Sequence, residues 1–379
     1  MPSLPLNRRL PTTVLAFRGY NVTNLGRTAE LLAHPAYGST VESHLRGVSG
    51  IAADLLRRPV DLVDRVRRGE ETTLATYGDA VALLIGVQAA QLELLGKFFG
   101  VDYRGAQFSF GYSLGEIAAL VAGGLLDPAA ALQVPLSLAD DCVALADGVT
   151  LAVFFTRSQA IDFGLVERLC LEVNQAGRGV MGISSYLAPN TVLLLGQGDT
   201  LERFLERAKT LFAVRVHLRK NDHQWPPLHT PIVWQRQISN RAAQRMQTLP
   251  IKLVEPKPRV FSLVTAGYSY TPTSAREILN RWVDHPQRLW DGIYETLASG
   301  ASTVIHLGPD PNIIPATFRR LSEDVASQLQ DSRSLRALSA AVRRLWLRRI
   351  LPQRAALLRA PYIEHIILED WLLAHTPPK

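Results

Sequence analysis

The seventeen residues Ala106 to Ala122 constrain this chain more than any other stretch. Ala106-Gln-Phe-Ser-Phe110 reads as a strand, Gly111-Tyr-Ser-Leu-Gly115 as a tight turn, and Ile117 to Ala122 as the start of a buried helix. A G-x-S-x-G turn between strand and helix is the pattern of a nucleophile elbow. The serine is forced out of the sheet edge, and the glycines admit backbone where a Cβ would clash. The helix that follows turns its unpaired N–H groups toward any oxyanion formed there. The first such donor is the N–H of Leu114. The plainer reading is a glycine-rich turn with a bystander serine.

The rest of the chain fits a large α/β protein. Its 379 residues suggest two or three domains, and 47% hydrophobic with 20% charged residues exclude a disordered chain. Two cysteines, Cys142 and Cys170, exclude a disulfide framework and a Cys-type zinc cluster, so a reducing, cytoplasmic setting is expected. No signal peptide is expected, because prolines and arginines interrupt the first eleven residues. No transmembrane helix is expected either. Thr13-Val-Leu-Ala-Phe17 reads as a first strand ending in a turn at Gly19, and Ala80 to Leu95 as a helix apolar nearly all round.

Residues 150–221 have another rhythm. Strand, helix, strand, strand, helix, strand follow in order, the βαββαβ pattern of a ferredoxin-like unit. The expected organisation is a large α/β domain at 1–149, this small subdomain inserted at 150–221, and the large domain again at 222–330. The return should bring a helix near 232–249 and strands at 259–264 and 302–307. From residue 331 to 379 a basic helical extension is expected, with Arg333, Arg336, Arg343, Arg344, Arg348, Arg349, Arg354 and Arg359 interleaved with apolar residues.

A serine needs a base to act as a nucleophile at neutral pH. Of nine histidines, His229 stands out in Pro226-Pro-Leu-His-Thr-Pro231, where prolines on both sides fix the backbone; His223 is the alternative. Residues 280–286 read as a loop covering it. Glu116 reads as a first-turn helix acid, Asp140 and Asp141 as solvated surface acids, and Trp225 as packing.

Gly111-Tyr-Ser-Leu-Gly-Glu-Ile-Ala-Ala-Leu-Val-Ala-Gly resembles the GHSLGEYAALVAAG signature of malonyl-CoA:acyl-carrier-protein transacylases. The likeness runs from about Thr13 to Arg320 and includes Leu228-His-Thr-Pro231 and Ile305-His-Leu-Gly-Pro-Asp310. It implies an α/β hydrolase-like parallel sheet flanked by helices, with the inserted subdomain. It implies Ser113 as nucleophile, His229 as base, the backbone N–H groups of Leu114 and Tyr20 as oxyanion donors, and the Trp282 carbonyl as the group orienting the histidine. The implied partners are an acyl-CoA and an acyl carrier protein in fatty-acid or polyketide synthesis, with no cofactor and no metal.

The departures are informative. The family's GQGSQ turn is Gly19-Tyr-Asn-Val-Thr, and the histidine before the serine is Tyr112. The arginine that clamps the malonyl carboxylate, 25 residues after the serine, is Leu138. Leucine cannot replace a bidentate charge-assisted pair. With Tyr112 and Leu138 in the substrate pocket, an uncharged acyl group, acetyl or longer, is expected instead of malonyl. A hydrolase or thioesterase, or a docking module without catalysis, are the rival functions. The basic tail has three readings: a helix docked on the body, a surface for an acidic carrier protein, or a peripheral membrane contact. Nucleic-acid binding is not expected, because no stacking platform accompanies the arginines.

Overall fold

The computed structural model of the chain describes residues 5–157, 159–331, 353–375 and 377. Strand β1 (Thr13–Phe17) is buried at every position. It pairs in parallel with β2 (Phe108–Gly111) on one side and with β7 (Thr303–Leu307) on the other. Both neighbours are fully buried too. Strands covered on both faces carry unbroken apolar runs, as Val14-Leu-Ala-Phe17 does. Helices cover the sheet. Tyr77–Phe99 is buried along most of its length, and the elbow helix Leu114–Ala122 packs on β1 and β2. The stretch Leu74–Phe99 is apolar and long enough to cross a membrane, but 72% of its most apolar window is buried inside the protein.

Between the two halves of this sheet the chain builds a second, antiparallel one. It contains β3 (Val149–Thr156), β4 (Met181–Ala188), β5 (Thr191–Gln197) and β6 (Val216–Lys220), in the order β4-β5-β3-β6. The helices Phe163–Gln175 and Thr200–Leu211 complete a βαββαβ sequence. Side chains alternate with period two. Ala152, Phe154, Val192 and Leu194 pack under the helices, whereas Leu151, Val153, Leu193 and Leu195 form the opposite face. That face turns toward the large sheet. Gln287 joins the two, since its N–H donates to Ser184 O at 2.9 Å and its carbonyl accepts from Tyr186 N at 2.9 Å.

Four expectations change. Residues 259–264 make only isolated bridges, Ser109 to Val260 and Ser262 to Gly267, and not a strand. Pro256 and Pro258 remove ladder donors. The Leu263 N–H is taken by the Glu116 carboxylate at 3.2 Å, and the Val264 N–H by Ser262 Oγ at 3.1 Å. The helix expected near 232–249 is a 3-10 stretch, Pro231–Gln237, followed by Ile238–Thr248; Gln235 is extended and Arg236 has a φ of 58° between them. Residues 280–284 are not a loop but the end of the helix Ala275–Asp284.

The C-terminal extension is the fourth change. The run at 332–352, with most of the expected basic helix, lies outside the described residues. Residues 353–375 form a 3-10 stretch (Gln353–Tyr362), strand β8 (Glu364–Ile367) and a short helix (Leu368–Ala374). Strand β8 joins β7 in parallel and becomes the sheet's edge. Arg359 is not solvated. It is buried and donates to the carbonyls of Leu297 and Ala301 at 2.5 and 2.7 Å.

Candidate active site

The site lies at the carboxyl ends of β1 and β2. Ser113 follows β2 with a φ of 55°, a conformation that strains any residue but glycine. The crowding around it explains the glycines. A Cβ on Gly111 would collide with the backbone of Gly115, and one on Gly115 with the carbonyls of Phe17 and Arg18. A Cβ on Gly19 would strike the Tyr112 carbonyl and press on Ser113 Cβ at 3.1 Å. Glycine at these three positions thus lets β1, its following loop and the elbow touch.

Ser113 Oγ is 2.8 Å from His229 Nε2, although 116 residues separate them. His229 Nδ1 lies 2.6 Å from the Trp282 carbonyl. A carbonyl only accepts, so Nδ1 carries the proton and Nε2 presents a lone pair to the serine hydroxyl. Trp282 grips the elbow as well, since its indole N–H donates to the Ser113 carbonyl at 2.9 Å. The histidine backbone N–H donates to Val283 O at 2.8 Å, which fixes the ring further. Burial lowers the His229 pKa to about 4, against small opposing effects from the Trp282 carbonyl and Asp284. No acid bonds the ring among the described residues. Asp284 instead pairs with His285 and accepts from Trp234 Nε1 at 2.9 Å. His223 is exposed and lines a neighbouring pocket rather than this cleft.

The Leu114 N–H opens the elbow helix, where intrahelical partners are lacking. The Tyr20 side chain lines the cleft, and the loop that carries its N–H is held by Arg18. That guanidinium is 2% exposed. It donates to the carbonyls of Gly19 (2.9 Å), Thr23 (3.1 Å), Asp310 (3.2 Å) and Pro309, and to Asn24 Oδ1 (2.9 Å). Burial pulls its pKa down to about 10. A Cβ at Gly308 would occupy the space of the Arg18 side chain, which accounts for the glycine in Leu307-Gly-Pro-Asp310.

Two further groups have roles the sequence did not show, Gln287 without any signal and Glu116 beyond its expected place in the first helical turn. Gln287 is fully buried and accepts the Ser113 N–H on Oε1 at 3.2 Å. Glu116 is a buried anchor, accepting from Ser262 Oγ at 2.6 Å, Tyr270 Oη at 2.8 Å and the Leu263 N–H at 3.2 Å. Burial outweighs those donors and pushes its pKa up to about 7.

Ser113 and His229 open into a cleft of about 360 Å³ between the two sheets. Its walls include Tyr20, Tyr77, Tyr112 and Trp225 from one side and Leu151, Leu193 and Leu195 from the other. Tyr20 stands edge-on to Tyr77 at 4.9 Å and to Trp225 at 5.9 Å, so Trp225 belongs to the cleft as well as to the packing. No Asp, Glu, Lys or Arg is among its described walls. Leu138 is not a wall either. It is 3% exposed and packs in the core where the helices Pro128–Ser137 and Ala139–Ala146 meet. It sits at the break between these two helices, in the core and not on the cleft where it was expected. Asp141 is not simply solvated. It pairs with Arg236 at 3.2 Å and with Arg241.

Solved structures share this architecture. An acyl carrier protein S-malonyltransferase from Vibrio cholerae matches with a TM-score of 0.66 and 19% identity, covering 81% of this chain and 93% of that one. A malonyl-CoA:acyl carrier protein transacylase from Xanthomonas oryzae matches at 0.63 and 22%, covering 82% and 91%. The chain has the malonyl-CoA:acyl-carrier-protein transacylase fold. A type II polyketide malonyl-transacylase, solved with its acyl-carrier protein, matches at 0.62 and 20%, covering 81% of this chain and 92% of that one. No family model matches the sequence, and no curated protein sequence matches it either.

Proposed function

We propose that the protein is a divergent member of the transacylase family that moves an uncharged acyl group from CoA to the phosphopantetheine thiol of an acyl carrier protein. The observation that carries this reading is the 2.8 Å contact between Ser113 Oγ and a buried, tautomer-fixed His229 Nε2. His229 takes the Ser113 proton as Oγ attacks the thioester carbonyl carbon. The oxyanion meets the N–H groups of Leu114 and Tyr20. The C–S bond then breaks, and CoA leaves as the thiol with the proton that His229 returns. In the second half the carrier thiol gives its proton to His229, its sulfur attacks the acyl-serine, and Ser113 regains its hydrogen. This is ping-pong covalent catalysis. The resident parts are side chains and backbone amides, and the scheme uses no metal or cofactor.

The uncharged walls support the choice of acyl group. A malonyl carboxylate placed among Tyr77, Tyr112, Leu193 and Leu195 would lose its hydration without gaining a cationic partner. The βαββαβ unit is, in this reading, a ferredoxin-like insertion that forms the cleft's second wall. Transfer to a carrier protein, rather than to water, rests on the shared fold. Trapping the acylated protein and adding water or holo-carrier protein tests it. Slow release in water and fast release to the carrier support a transferase; fast release in water makes the protein a thioesterase.

A further inference from the structure

The cleft at Ser113 shares wall residues with two neighbouring cavities. Toward the end of β6 it shares Leu151, Val153 and Asn221 with a pocket of about 370 Å³. That pocket is lined by Arg219, Lys220 and His223 against one acid, Asp222. Lys220 pairs with Glu202, whereas Arg219 has no ion-pair partner among the described residues. Toward the helix Ile313–Asp331 the cleft shares Val153, Leu187, Ile313 and Ala316 with a groove of about 840 Å³. This groove is more than twice the volume of the cleft itself.

The groove's described walls come chiefly from three places, with Val153, Gln159 and Trp290 beside them. The β4–β5 hairpin gives Leu187 and Pro189, the helix gives Leu321 and Val325, and the 3-10 stretch Gln353–Tyr362 gives Ala355 and Leu357. Its charged neighbours, Arg157, Arg320 and Asp324, are all exposed, whereas Val325 and Ala355 are buried. The first neighbour is thus a small pocket rich in basic groups, the second a larger groove with an apolar floor and Arg157, Arg320 and Asp324 at its rim, and both share walls with the cleft that holds the nucleophile.

A molecule that matches this order has an anionic end, a reactive carbonyl in the middle and a long apolar end. We propose that the acyl donor is a long-chain acyl thioester of phosphopantetheine, with its tail in the groove and its phosphates toward Arg219, Lys220 and His223. This rests on the reading of Ser113 as the acylated nucleophile. A short acyl group would leave the groove unfilled, and an anionic one would meet the uncharged walls of the cleft. The groove determines chain-length selectivity through Leu187, Leu321, Val325 and Leu357. Each methylene that leaves water for such a surface raises kcat/KM about fourfold until the groove is full.

The experiment is a chain-length series of saturated acyl-CoAs, from acetyl to palmitoyl, with the rate of Ser113 acylation as readout on the full chain. The expected result is a rise in kcat/KM with length that then levels off. Leu321→Trp and, separately, Leu357→Trp should each lower the palmitoyl-to-acetyl ratio at least tenfold. The second variant guards against misfolding of the first, and acetylation by each variant reports that it is folded. Charge reversal at the other end, Arg219→Glu with Lys220→Glu, should raise KM for both lengths by similar factors and leave the ratio in place. Repeating the series with acyl groups loaded on a carrier protein distinguishes the source of the thioester. A length preference on CoA alone assigns the donor to CoA, and one on the carrier assigns it to the carrier. Acetylation without any length preference, or a ratio that neither tryptophan moves, overturns the proposal and leaves the Ser113 reading standing. Failure of every thioester to acylate Ser113 overturns both.

Discussion

The two sheets contribute to the site in opposite ways. In the proposed reaction the parallel sheet supplies the chemistry, and supplies it largely through backbone. Three glycines that tolerate no Cβ, a strained serine and a carbonyl behind the histidine define the proposed nucleophile. The antiparallel sheet supplies no reacting group. It offers a face of apolar side chains, Leu151, Val153, Leu193 and Leu195, held opposite the serine by the Gln287 backbone. Backbone geometry of the first kind permits almost no variation, whereas side chains of the second kind can be exchanged at small cost to the fold. On the proposed function, the reaction is therefore fixed in one sheet and the selectivity is adjustable in the other.

Substitutions in the parallel sheet should have the largest effects. Ser113→Ala should remove the acyl adduct altogether, as intact-mass measurement would show. His229→Ala should lower the acylation rate by about 10²–10⁴ while Tm changes little. If His223→Ala proves the more damaging change, the division between the sheets fails, because His223 lies just beyond β6. Gly115→Ala should destabilise the fold by about 3 kcal/mol or more in chemical denaturation, since its methyl group meets the backbone of Phe17 and Arg18. A soluble variant of normal stability would show that the elbow is looser than its glycines imply.

The acid limb of the pH profile is a subtler probe of the same side. Burial holds His229 down to about pH 4 from an ordinary value of 6.5, so the neutral, active ring persists through mildly acid solution. The acid limb of kcat/KM should therefore fall near pH 4–5 rather than at 6.5. The unfolded chain protonates this ring first, so stability from it is full above pH 6.5 and lost as pH falls toward 4. Glu116 has the opposite sign. Its raised pKa of about 7 makes its contribution complete below 4.5 and lost as pH rises through 7. Denaturation midpoints followed between pH 4 and 9 for Glu116→Gln against the parent would show the alkaline loss only in the parent.

Effects in the antiparallel sheet should be smaller and concern choice of substrate. Leu193→Arg should raise malonyl transfer relative to acetyl transfer by about tenfold, because a cation gives the carboxylate a partner. Leu138→Arg, which would restore the arginine of the resembling family, should instead bury a charge in the core and lower Tm.

What could be read in advance follows the same division. The elbow was legible because its glycines and serine are adjacent in sequence and their spacing is dictated by steric collision. The βαββαβ order was legible from short apolar runs, such as Leu151-Ala-Val-Phe-Phe and Thr191-Val-Leu-Leu-Leu, alternating with helical stretches. Strand β8 was not, because Glu364-His-Ile-Ile is too short and mixed to show a period. The apolar cleft walls could be inferred only in outline. Which leucine reaches Ser113 depends on a helix break at Leu138 and on strand register, neither of which is local. Arg18 and Gln287 were silent for the same reason. Their partners lie across the fold, near residues 309 and 113.

The account rests on Ser113 taking up an uncharged acyl group with His229 as base. Its most direct test is mass spectrometry of the intact protein after brief exposure to acetyl-CoA and malonyl-CoA in equal amounts. A single adduct of acetyl mass, mapped to Ser113 and lost in Ser113→Ala, is the predicted result. An adduct of malonyl mass in excess, or none on Ser113 from any acyl-CoA, would contradict it.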